Sequence, residues 1–575
     1  MKVLDFYPAN CKNCYKCVRN CPVKAIRIVD DQAEIIDEKC IACGKCFLVC
    51  PQNARNIHTD LNCFEEALKD KRVVVSVALS YKGIYEEPEK LIGALYGLGV
   101  EAVEETGVAA QLVSKLFSEY MSQQDQQNYI TSCCPSVNLM IKTYYPELSE
   151  YLIPVDSPMV LHARLMKEHY GKDAFVVFLG PCISKKHEAS VPSNQEAIDA
   201  VISFEELDHW LEEKHKSLDE FVARHPAAYA DQMGSKYPRD GGILPGIKEV
   251  AKTRGKSVLA VHGFTECMTL FETIRSRGLQ QLCIEANICH GACLGGPAIP
   301  EHAGSLFERK IRLHQELKKE KPSKKTYHET LLMHLEKPLY SREFSGESYQ
   351  YPEFNEVQIS QVLSKMAKHS KEDELNCGAC GYDSCREKAK AVLEGISHLE
   401  MCIPNMRMKA ERLSNVIFEV SPNILILLDE NMSIVDMNPL GEKIFHVPIS
   451  KMKGKSIEQI MAKDDFEEVI NSKKDIIGKK IQLTQYNLKL IEYLIYIEEH
   501  KLVLGLFSNV TDFEKRNEDY YQLKQNTLHT VSAVIDRQMR VAQEIAGLLG
   551  ETTAEAKIAL LNLKEIVEGE EGEFK

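Results

Sequence analysis

The chain lacks the sequence features that mark a membrane protein or a general nucleic-acid-binding protein. Its first residues, MKVLDFYPAN, contain no apolar stretch of the kind found in secretion signals. Its apolar runs, such as Ile424–Leu428, are far too short to cross a bilayer. The net charge is −14, which argues against nucleic-acid binding and against a polybasic contact with membranes. We therefore expect a cytoplasmic protein that binds neither nucleic acid nor a membrane.

Cysteine, in contrast, is abundant. The chain has 20 cysteines among 575 residues, and most of them lie in closely spaced groups. In a protein without a secretion signal, such groups indicate metal ligation rather than disulfide bonds. The length exceeds that of a single domain and indicates about four.

Residues 1–62 contain the same cysteine pattern twice. Both copies read C-x2-C-x2-C-x3-C-P, which is the pattern of bacterial ferredoxins with 4Fe-4S clusters. Two copies make zinc a much weaker interpretation. In this resemblance the fourth cysteine of each copy crosses over to the other cluster. One cluster then takes Cys11, Cys14, Cys17 and Cys50, and the other takes Cys40, Cys43, Cys46 and Cys21. Between the copies, AIRIV and AEIID alternate as in a short hairpin.

Residues 63–340 have the pattern of an α/β domain and contain three more cysteine loops. The candidate strands are Val73–Leu79, Phe175–Leu179 and Val258–Val261. The loops are TSCCP at Thr131–Pro135, PCISK at Pro181–Lys185 and EANICHGACLGGP at Glu285–Pro297. Each loop places cysteine beside proline or glycine, and loops on an α/β scaffold commonly carry chemistry. We therefore expect the three loops to share one metal site.

Taken in order, these loops resemble the three signature motifs of the iron-only (FeFe) hydrogenases, and the ferredoxin-like start fits that family. The resemblance covers residues 1–310. It implies an H-cluster, in which a 4Fe-4S cluster joins a di-iron subcluster with CO, CN and a bridging dithiolate. The implied ligands of the 4Fe-4S part are Cys134, Cys182, Cys289 and Cys293, the last of which also bridges to the di-iron part. The resemblance further implies that Lys185 and Ser80 hydrogen-bond cyanide and that Cys133 passes protons.

The chain departs from the family motifs at several positions. Gly180 and Asn287 stand where the family has methionines against the di-iron unit, and Val137 stands where it has tryptophan. Ile153 falls where the family has a serine of the proton relay, and Phe117 and Tyr120, with Glu119 adjoining them, fall where it has an acidic relay residue. Because an apolar side chain cannot carry a proton, these changes predict slow turnover with the cluster retained.

Residues 341–409 are predicted to be a linker followed by another metal site. Its candidate ligands are Cys377, Cys380, Cys385 and Cys402. A helical segment, Arg386–Glu400, lies between the last two, and Pro404 follows. The set resembles a small 4Fe-4S module found in several redox proteins. A structural zinc site is the alternative, since four thiolates suit either metal.

Residues 410–516 contain no cysteine. The run ILILLDENMSIVDMNP, at Ile424–Pro439, has the pattern of strand, turn and strand, and strand-like runs follow at Lys480–Leu483 and Leu502–Phe507. With the closing VTDFEKR at Val510–Arg516, this region resembles a PAS sensor domain. Beyond it, apolar residues at three/four spacing up to Leu549 are typical of a coiled-coil or partner helix.

The expected fold is therefore multidomain, α+β and α/β. It comprises a ferredoxin-like domain with two 4Fe-4S clusters (1–62), an α/β H-cluster hydrogenase domain (63–340), a linker with a small 4Fe-4S module (341–409), a PAS domain (410–516) and C-terminal helices (517–575).

The sequence favours a sensory iron-only hydrogenase of low turnover as the function. It would react with H2 and protons and relay redox state through the PAS domain to a kinase or phosphatase, because no such motif fits in the C-terminal tail. A homodimer through the PAS domain and its exit helix is a further hypothesis. One alternative is a metabolic hydrogenase that exchanges electrons with ferredoxin or another carrier. The other is an iron–sulfur scaffold without a di-iron unit, against which Cys133, Lys185 and Ser80 argue.

Overall fold

The structure is a computed structural model that describes residues 4–6, 10–319, 327–334, 342–344, 349–549 and 558. Of the predicted C-terminal helices (517–575), residues 550–557 and 559–575 thus lie outside the described residues. The chain divides into two compact units, Met1–Met406 and Arg407–Lys575. Within the described ranges, no helix is both long and apolar enough to span a bilayer.

The first cysteine-rich region is built from short elements. They are β1 (Leu4–Phe6), α1 (Lys16–Asn20), β2 (Ile26–Val29), β3 (Gln32–Ile35), α2 (Lys45–Leu48) and β4 (Arg55–Ile57). The predicted hairpin is confirmed, since β2 and β3 pair antiparallel with Ile26 opposite Ile35. Strands β1 and β4 form a second antiparallel pair. The third cysteine of each copy, Cys17 or Cys46, lies on one of the two short helices.

Seven strands form the framework of the next region. They are β5 (Val73–Val77), β6 (Ala102–Glu105), β7 (Asn128–Ile130), β8 (Phe175–Gly180), β9 (Ala200–Ser203), β10 (Ser257–His262) and β11 (Leu282–Asn287). They make two parallel sheets, ordered β6-β5-β8-β9 and β10-β11-β7. Strands β5 and β8 are buried along their whole length, as their continuous apolar runs predict. The three predicted strands are confirmed within two residues at each end.

Helices connect and cover these strands. They are α3 (Leu61–Asp70), α4 (Tyr81–Ile84), α5 (Pro88–Gly97), α6 (Gly107–Gln123), α7 (Pro135–Tyr144), α8 (Pro158–Tyr170), α9 (Ser184–Ala189), α10 (Pro192–Gln195), α11 (Phe204–Glu213), α12 (Leu244–Thr253), α13 (Phe264–Arg277), α14 (Leu306–Lys319) and α15 (Tyr327–His334). The start of α11 shows how the sequence sets such boundaries. Ser203 and Glu206 each accept the other's backbone N–H, which satisfies two amides at the helix start.

The third cysteine-rich region consists of α16 (Glu356–Lys365), α17 (Cys385–Leu393) and the start of α18 (Ile403–Val420). Helix α17 is shorter than the predicted Arg386–Glu400. It ends early because Gly395 adopts a left-handed φ of 76°, and the N–H of Ile396 then bonds back to the carbonyl of Ala391.

The second unit is an antiparallel sheet with helices. Its elements are β12 (Ile424–Asp429), β13 (Ile434–Met437), α19 (Pro439–Phe445), α20 (Ile449–Met452), α21 (Asp464–Ser472), β14 (Ile476–Leu483), β15 (Leu488–Ile497), β16 (Leu502–Asn509) and α22 (Thr511–Leu549). The strand order is β13-β12-β16-β15-β14. The predicted hairpin is β12–β13, and the predicted closing segment leads into α22. Strand β15 had not been predicted.

A buried acid makes the stability of this sheet depend on pH. Glu492, on β15, is 2% exposed, and its carboxyl group shares a hydrogen bond with Asp465. Burial and the neighbouring Asp465 raise the pKa of Glu492 from 4.5 to about 8. Between these two pH values the folded state retains a proton that the unfolded chain releases. The free energy of unfolding therefore falls as pH rises through this window.

Glu492→Gln is expected to remove this dependence, because an amide stays neutral at every pH. The variant should match the native chain near pH 4.5 and exceed its stability by at least about 1 kcal/mol above pH 8. Amide hydrogen exchange of β15 and β16 in the full chain, corrected for the intrinsic exchange rate, measures the difference. Glu498→Gln, just beyond β15 and exposed, is the control. A difference that is the same at all pH values would contradict the prediction.

Candidate active site and metal centres

Four loops carry the residues of the predicted H-cluster site, and each follows the carboxyl end of a parallel strand. Ser80 follows β5, the TSCCP loop follows β7, the PCISK loop follows β8, and the last cysteine loop follows β11. Strands β5 and β8 are neighbours in one sheet, and β7 and β11 are neighbours in the other. Because parallel neighbours end at the same edge of a sheet, these loops meet although they are distant in sequence.

The loops line a cavity of about 120 Å³, named the large cavity because the two other cysteine-lined cavities measure only about 20 Å³. Its lining includes every residue predicted for this site, namely Ser80, Cys133, Cys134, Cys182, Lys185, Cys289 and Cys293. Much of the remaining wall is apolar and includes Leu79, Phe178 and Ile243. The fold therefore brings the four proposed cluster ligands, the additional thiol, the cation and the hydroxyl to one place.

The last cysteine loop approaches the PCISK loop backbone to backbone. A Cβ at Gly296 would stand 2.4 Å from the carbonyl oxygen of Pro181. Ala298 donates its N–H to the same oxygen at 3.2 Å. Within the loop, a Cβ at Gly295 would stand 1.8 Å from the carbonyl oxygen of His290. Only glycine permits these approaches. The first holds the two cysteine loops together, and the second allows the tight turn within the last loop.

The Lys185 ammonium is held by an acid that the motif analysis had not identified. Its Nζ donates to Glu188 Oε2 at 2.7 Å and to Ser157 Oγ at 2.8 Å. Arg342 donates to the other oxygen of Glu188 at 2.6 Å, and Glu188 is fully buried. Burial lowers the pKa of Lys185, but the carboxylate of Glu188 outweighs this and raises it above its ordinary value. Lys185 therefore stays charged at the cavity wall.

The side chains around the cavity fit an H-cluster. Ser80 Oγ is buried without a hydrogen-bond partner among the described residues, which suits a donor whose acceptor lies in the cavity. The four cysteines supply the thiolates that a 4Fe-4S cube needs. Burial raises the pKa of Cys134 and of Cys289, so these thiols release their protons only when a metal binds.

Cys133 lies between the cavity and an apolar cluster. Burial raises the pKa of its thiol well above the ordinary value, so the thiol keeps its proton at neutral pH. On its far side the cluster includes Phe117, Ile153 and Tyr120. Phe117 and Ile153 are completely buried. Residues that the sequence places in an interrupted proton path therefore pack in the same cluster as Cys133. Charged groups also lie near the thiol, because Lys185 and Glu285 affect its pKa.

Glu285 is a second acid near the cavity to which the motif analysis assigned no role. Its Oε2 accepts the backbone N–H groups of Ile243 and Leu244 at 2.9 and 3.1 Å. Its Oε1 accepts from Asn287 Nδ2 at 3.2 Å. Burial raises the pKa of Glu285 to about 7, so this carboxyl group titrates near neutral pH.

Gly180 and Asn287, the two positions at which the family has methionine, differ in the space available to a side chain. Asn287 lines the cavity directly. A Cβ at Gly180, in contrast, would stand 2.8 Å from the ring of Phe178 and 3.0 Å from Ala78. The Phe178 ring thus occupies the space of a side chain at position 180. A methionine there would require a smaller residue at position 178.

The ferredoxin-like region brings together the two crossed-over cysteine sets. Cys11, Cys14, Cys17 and Cys50 line one small cavity of about 20 Å³. In the other set, the pKa values of Cys40 and of Cys43 are raised to about 12. Burial is the main cause, and the charge of the nearby Cys21 contributes to both shifts. Cys46 acts on Cys40 in the same way. This arrangement agrees with the predicted grouping.

The third set of cysteines surrounds another cavity of about 20 Å³. Its lining includes Cys377, Cys380, Cys385 and Cys402. Lys388, on α17, lines the same cavity, and burial lowers its pKa to about 8. The motif analysis had not identified this lysine. A cation beside four thiolates offsets part of the negative charge that a cluster would carry there.

The second ferredoxin-like set lies between the other two centres. Cys43 is near enough to Cys289 that its charge, added to the effect of burial, raises the pKa of that thiol. On the other side, Lys39 Nζ donates to Glu394 Oε1 at 2.6 Å and so joins the ferredoxin-like region to the third module. Cys380 also packs in one cluster with Ile36. The ferredoxin-like region therefore contacts the third module and lies near the cavity that Cys289 lines.

Comparison with known proteins agrees with this arrangement. Residues 71–297 match the family model described as iron only hydrogenase large subunit, C-terminal domain. Residues 5–51 match a 4Fe-4S dicluster domain, and residues 373–404 match a model of an Fe-S cluster. These matches support a relationship of the chain to the FeFe hydrogenase family. A hydrogenase-like protein with Fe-S clusters and an H-cluster is what both the sequence and these matches indicate.

Individual FeFe hydrogenases are distant relatives. The chain is 22% identical over 390 residues to the NADP-reducing hydrogenase subunit HndD of Solidesulfovibrio fructosivorans and 23% identical over 383 residues to iron hydrogenase 1 of Clostridium pasteurianum. The matches cover 56% and 47% of this chain and 66% and 67% of the relatives, about two thirds of their length. A solved variant of the [FeFe]-hydrogenase HydA1 from Chlamydomonas reinhardtii covers 50% of this chain and 100% of its own, with 18% identity and a TM-score of 0.40.

Proposed function

We propose that this protein is a sensory iron-only hydrogenase that reacts slowly with H2 and transmits the redox state of its clusters to a partner protein. The position of α18 carries the proposal. This helix begins at Ile403, directly after Cys402 of the third cysteine set, and ends at Val420, shortly before β12. A change of charge at that set acts at the N-terminal turn of a helix, where the helix dipole makes the backbone sensitive to charge.

The H-cluster, bound by the four cysteines of the large cavity, supplies the heterolytic cleavage and formation of H2. The chain's own side chains hold protons and donate hydrogen bonds around it. The Cys133 thiol holds a proton at Sγ, because burial keeps its pKa high. With an H-cluster bound, Lys185 Nζ, anchored by Glu188, and Ser80 Oγ would be the donors to its cyanide ligands.

Slow turnover follows from the surroundings of Cys133. The apolar cluster against which Cys133 packs includes Phe117 and Ile153, which can neither accept nor donate a proton. We therefore expect proton transfer to limit the rate, and a low rate is acceptable in a sensor. A metabolic enzyme, in contrast, depends on high throughput.

The second unit supports the signalling part of the proposal. The predicted opening hairpin, closing strand and exit helix all occur in this one unit, which supports a PAS domain at 410–516. Helix α22 exposes Tyr520, Val534 and Val541, which recur at multiples of seven residues. This spacing supports a homodimer through a coiled coil. The kinase or phosphatase partner and the cytoplasmic location remain predictions.

A metabolic ferredoxin hydrogenase is the second candidate. Cys14, in the first ferredoxin-like set, is exposed, and Leu48 nearby in the sequence is 62% exposed. Such exposure suits electron exchange with a soluble carrier such as ferredoxin. This function requires rapid turnover and no response of the second unit to H2.

Matured protein under H2 and under argon distinguishes the two functions. We expect infrared bands from iron-bound CO and CN, and turnover at least about tenfold below that of iron hydrogenase 1 assayed in parallel. Amide exchange in 403–420 should change when H2 is added. Cys385→Ser, in the third set and outside the large cavity, should keep the bands and the turnover but lose the exchange response.

Other outcomes of these measurements would reject the proposed sensory function. Turnover equal to that of iron hydrogenase 1, without an exchange response to H2, would favour the metabolic function. An exchange response that persists in Cys385→Ser would reject the route through the third cysteine set. Absence of CO and CN bands after maturation would favour a scaffold without a di-iron unit.

A further inference from the structure

Two histidines and a glutamate form a buried cluster outside the large cavity. Glu104 lies on β6, His162 on α8 and His328 on α15, and none is more than 1% exposed. Glu104 Oε2 lies 3.1 Å from His162 Nε2 and 2.9 Å from His328 Nε2. The two imidazole nitrogens are 3.3 Å apart. Three ligand-type atoms from three distant segments thus face one point.

These separations are those of atoms that share a metal ion. With metal–ligand distances of about 2.0–2.2 Å, neighbouring ligand atoms stand about 2.9–3.5 Å apart in octahedral or tetrahedral geometry. Hydrogen bonds alone explain the arrangement less well. Each imidazole would then direct an N–H at the same Glu104 oxygen, and two N–H groups 3.3 Å apart would repel each other. An ion removes the conflict, because each atom then presents a lone pair.

Further contacts orient Glu104 and His162 as in known metal sites, and the His328 ring stacks on Tyr327. His162 Nδ1 lies 2.8 Å from Ser76 Oγ, which leaves Nε2 available to an ion. Glu104 Oε1 accepts from the hydroxyls of Tyr170 and Tyr327 at 2.6 and 3.0 Å. Its Oε2 therefore points toward the histidines. Glu104 Oε2 and His162 Nε2 are therefore held in place before any ion binds, whereas His328 Nδ1 has no hydrogen-bond partner among the described residues.

We propose that Glu104, His162 and His328 bind a structural zinc ion. Two imidazoles and one carboxylate are a set that zinc accepts, and complete burial favours a structural site over a catalytic one, which needs access for substrate. A water molecule supplies the fourth ligand, while the Tyr327 hydroxyl stays hydrogen-bonded to Glu104. This ion is separate from the clusters, because no cysteine takes part.

The ion would connect three elements and support the wall of the large cavity. His328 ties α15 to β6 and α8. Ser76 Oγ, beside His162, also lies 2.7 Å from Thr106 Oγ1. Thr106 lines the large cavity. The zinc site is therefore linked to the cavity wall by two short polar contacts.

Metal analysis of the full chain, with its clusters reconstituted anaerobically, tests the proposal. We expect about one zinc per chain beside the cluster iron. His328→Gln and Glu104→Gln should each lose it. His169→Gln should keep it, because that ring stacks on Tyr327 at 3.5 Å but presents no atom to the cluster. X-ray absorption at the zinc edge of the native chain should show nitrogen and oxygen ligands and no sulfur.

Two further measurements distinguish zinc at this site from zinc bound by cysteines, and loss of zinc from misfolding of the variants. Cobalt substituted for zinc should give no thiolate charge-transfer bands, which a cysteine-bound ion would produce. A chelator should lower the unfolding temperature of the native chain but not that of His328→Gln. Background zinc content in the native chain, sulfur ligands at the zinc edge, or unchanged zinc in both variants would overturn the proposal. Another metal lost in the same variants would overturn the assignment to zinc.

Discussion

Replacing Cys289 by serine is expected to abolish the hydrogenase site while leaving the other clusters in place. Cys289 lines the large cavity with three other cysteines, and a cube with four thiolate ligands loses its firm attachment when one is removed. We expect a loss of about six irons per chain, four from the cube and two from the di-iron part, together with the CO and CN infrared bands and measurable H2 turnover. Iron analysis, infrared spectra and a turnover assay on one matured sample measure these effects.

Cys283→Ser is the matched control for this change. Cys283 lies on the same strand, β11, and is completely buried, but it does not line the cavity. We expect this variant to keep its iron, its bands and its turnover, and to lose about 1 kcal/mol of stability at most from the buried hydroxyl. Full bands in Cys289→Ser, or their loss in both variants, would contradict the proposed ligand set.

Glu188→Ala is expected to be the most destabilising single change near the site. It would leave the charges of Lys185 and Arg342 without the carboxylate that both contact. Removing one partner of a buried ion pair costs about 3–5 kcal/mol, because the remaining charge stays desolvated. Chemical unfolding followed by the fluorescence of Trp210, the sole tryptophan and part of the core of the first unit, measures the loss.

Glu101→Ala is the comparison for Glu188→Ala. It breaks an ion pair with Arg72 of similar length, 2.6 Å, whose side chains are 40% and 52% exposed. Water screens that pair, so we expect less than about 1 kcal/mol. Equal losses in the two variants would show that burial around Glu188 does not determine the effect.

The same glutamate predicts how acid affects the native chain. Burial raises the pKa of Glu188, but Lys185 and Arg342 outweigh it and lower the pKa below its ordinary value. A carboxyl group with a lowered folded pKa stabilises the chain above its unfolded pKa and loses that contribution as pH falls further. The native chain should therefore lose stability on acidification more steeply than Glu188→Gln.

Much of the fold was predictable where the sequence pattern is local. The strand at Phe175 and the hairpin that starts at Ile424 were predicted because short continuous or alternating apolar runs fit few secondary structures other than a strand. Helix α17 was predicted too long, because the left-handed turn at Gly395 ends it. The pairing partner of a strand such as β15 depends on the rest of the sheet, which a single-segment pattern does not show.

Several features of the site, in contrast, depend on contacts between distant segments. Glu188 is one turn from Lys185 and could have been found as a helical pair, but Arg342 is 154 residues further along the chain. The Phe178 ring beside Gly180 is, by comparison, a local feature, because positions two apart on β8 face the same side of the strand. His328 joins Glu104 from a helix that carries no recognisable motif.

The sequence by itself determined the chemistry available to this protein: the spacing of the cysteines, the order of the motif loops and the positions that depart from them. Ligand spacing within a short segment follows from the geometry of a turn, so it can be read without a structure. The tertiary structure alone decided which loops meet at the sheet edges, which acid holds Lys185, and that Glu104, His162 and His328 converge. Those outcomes depend on strand order and on packing between segments far apart in the chain.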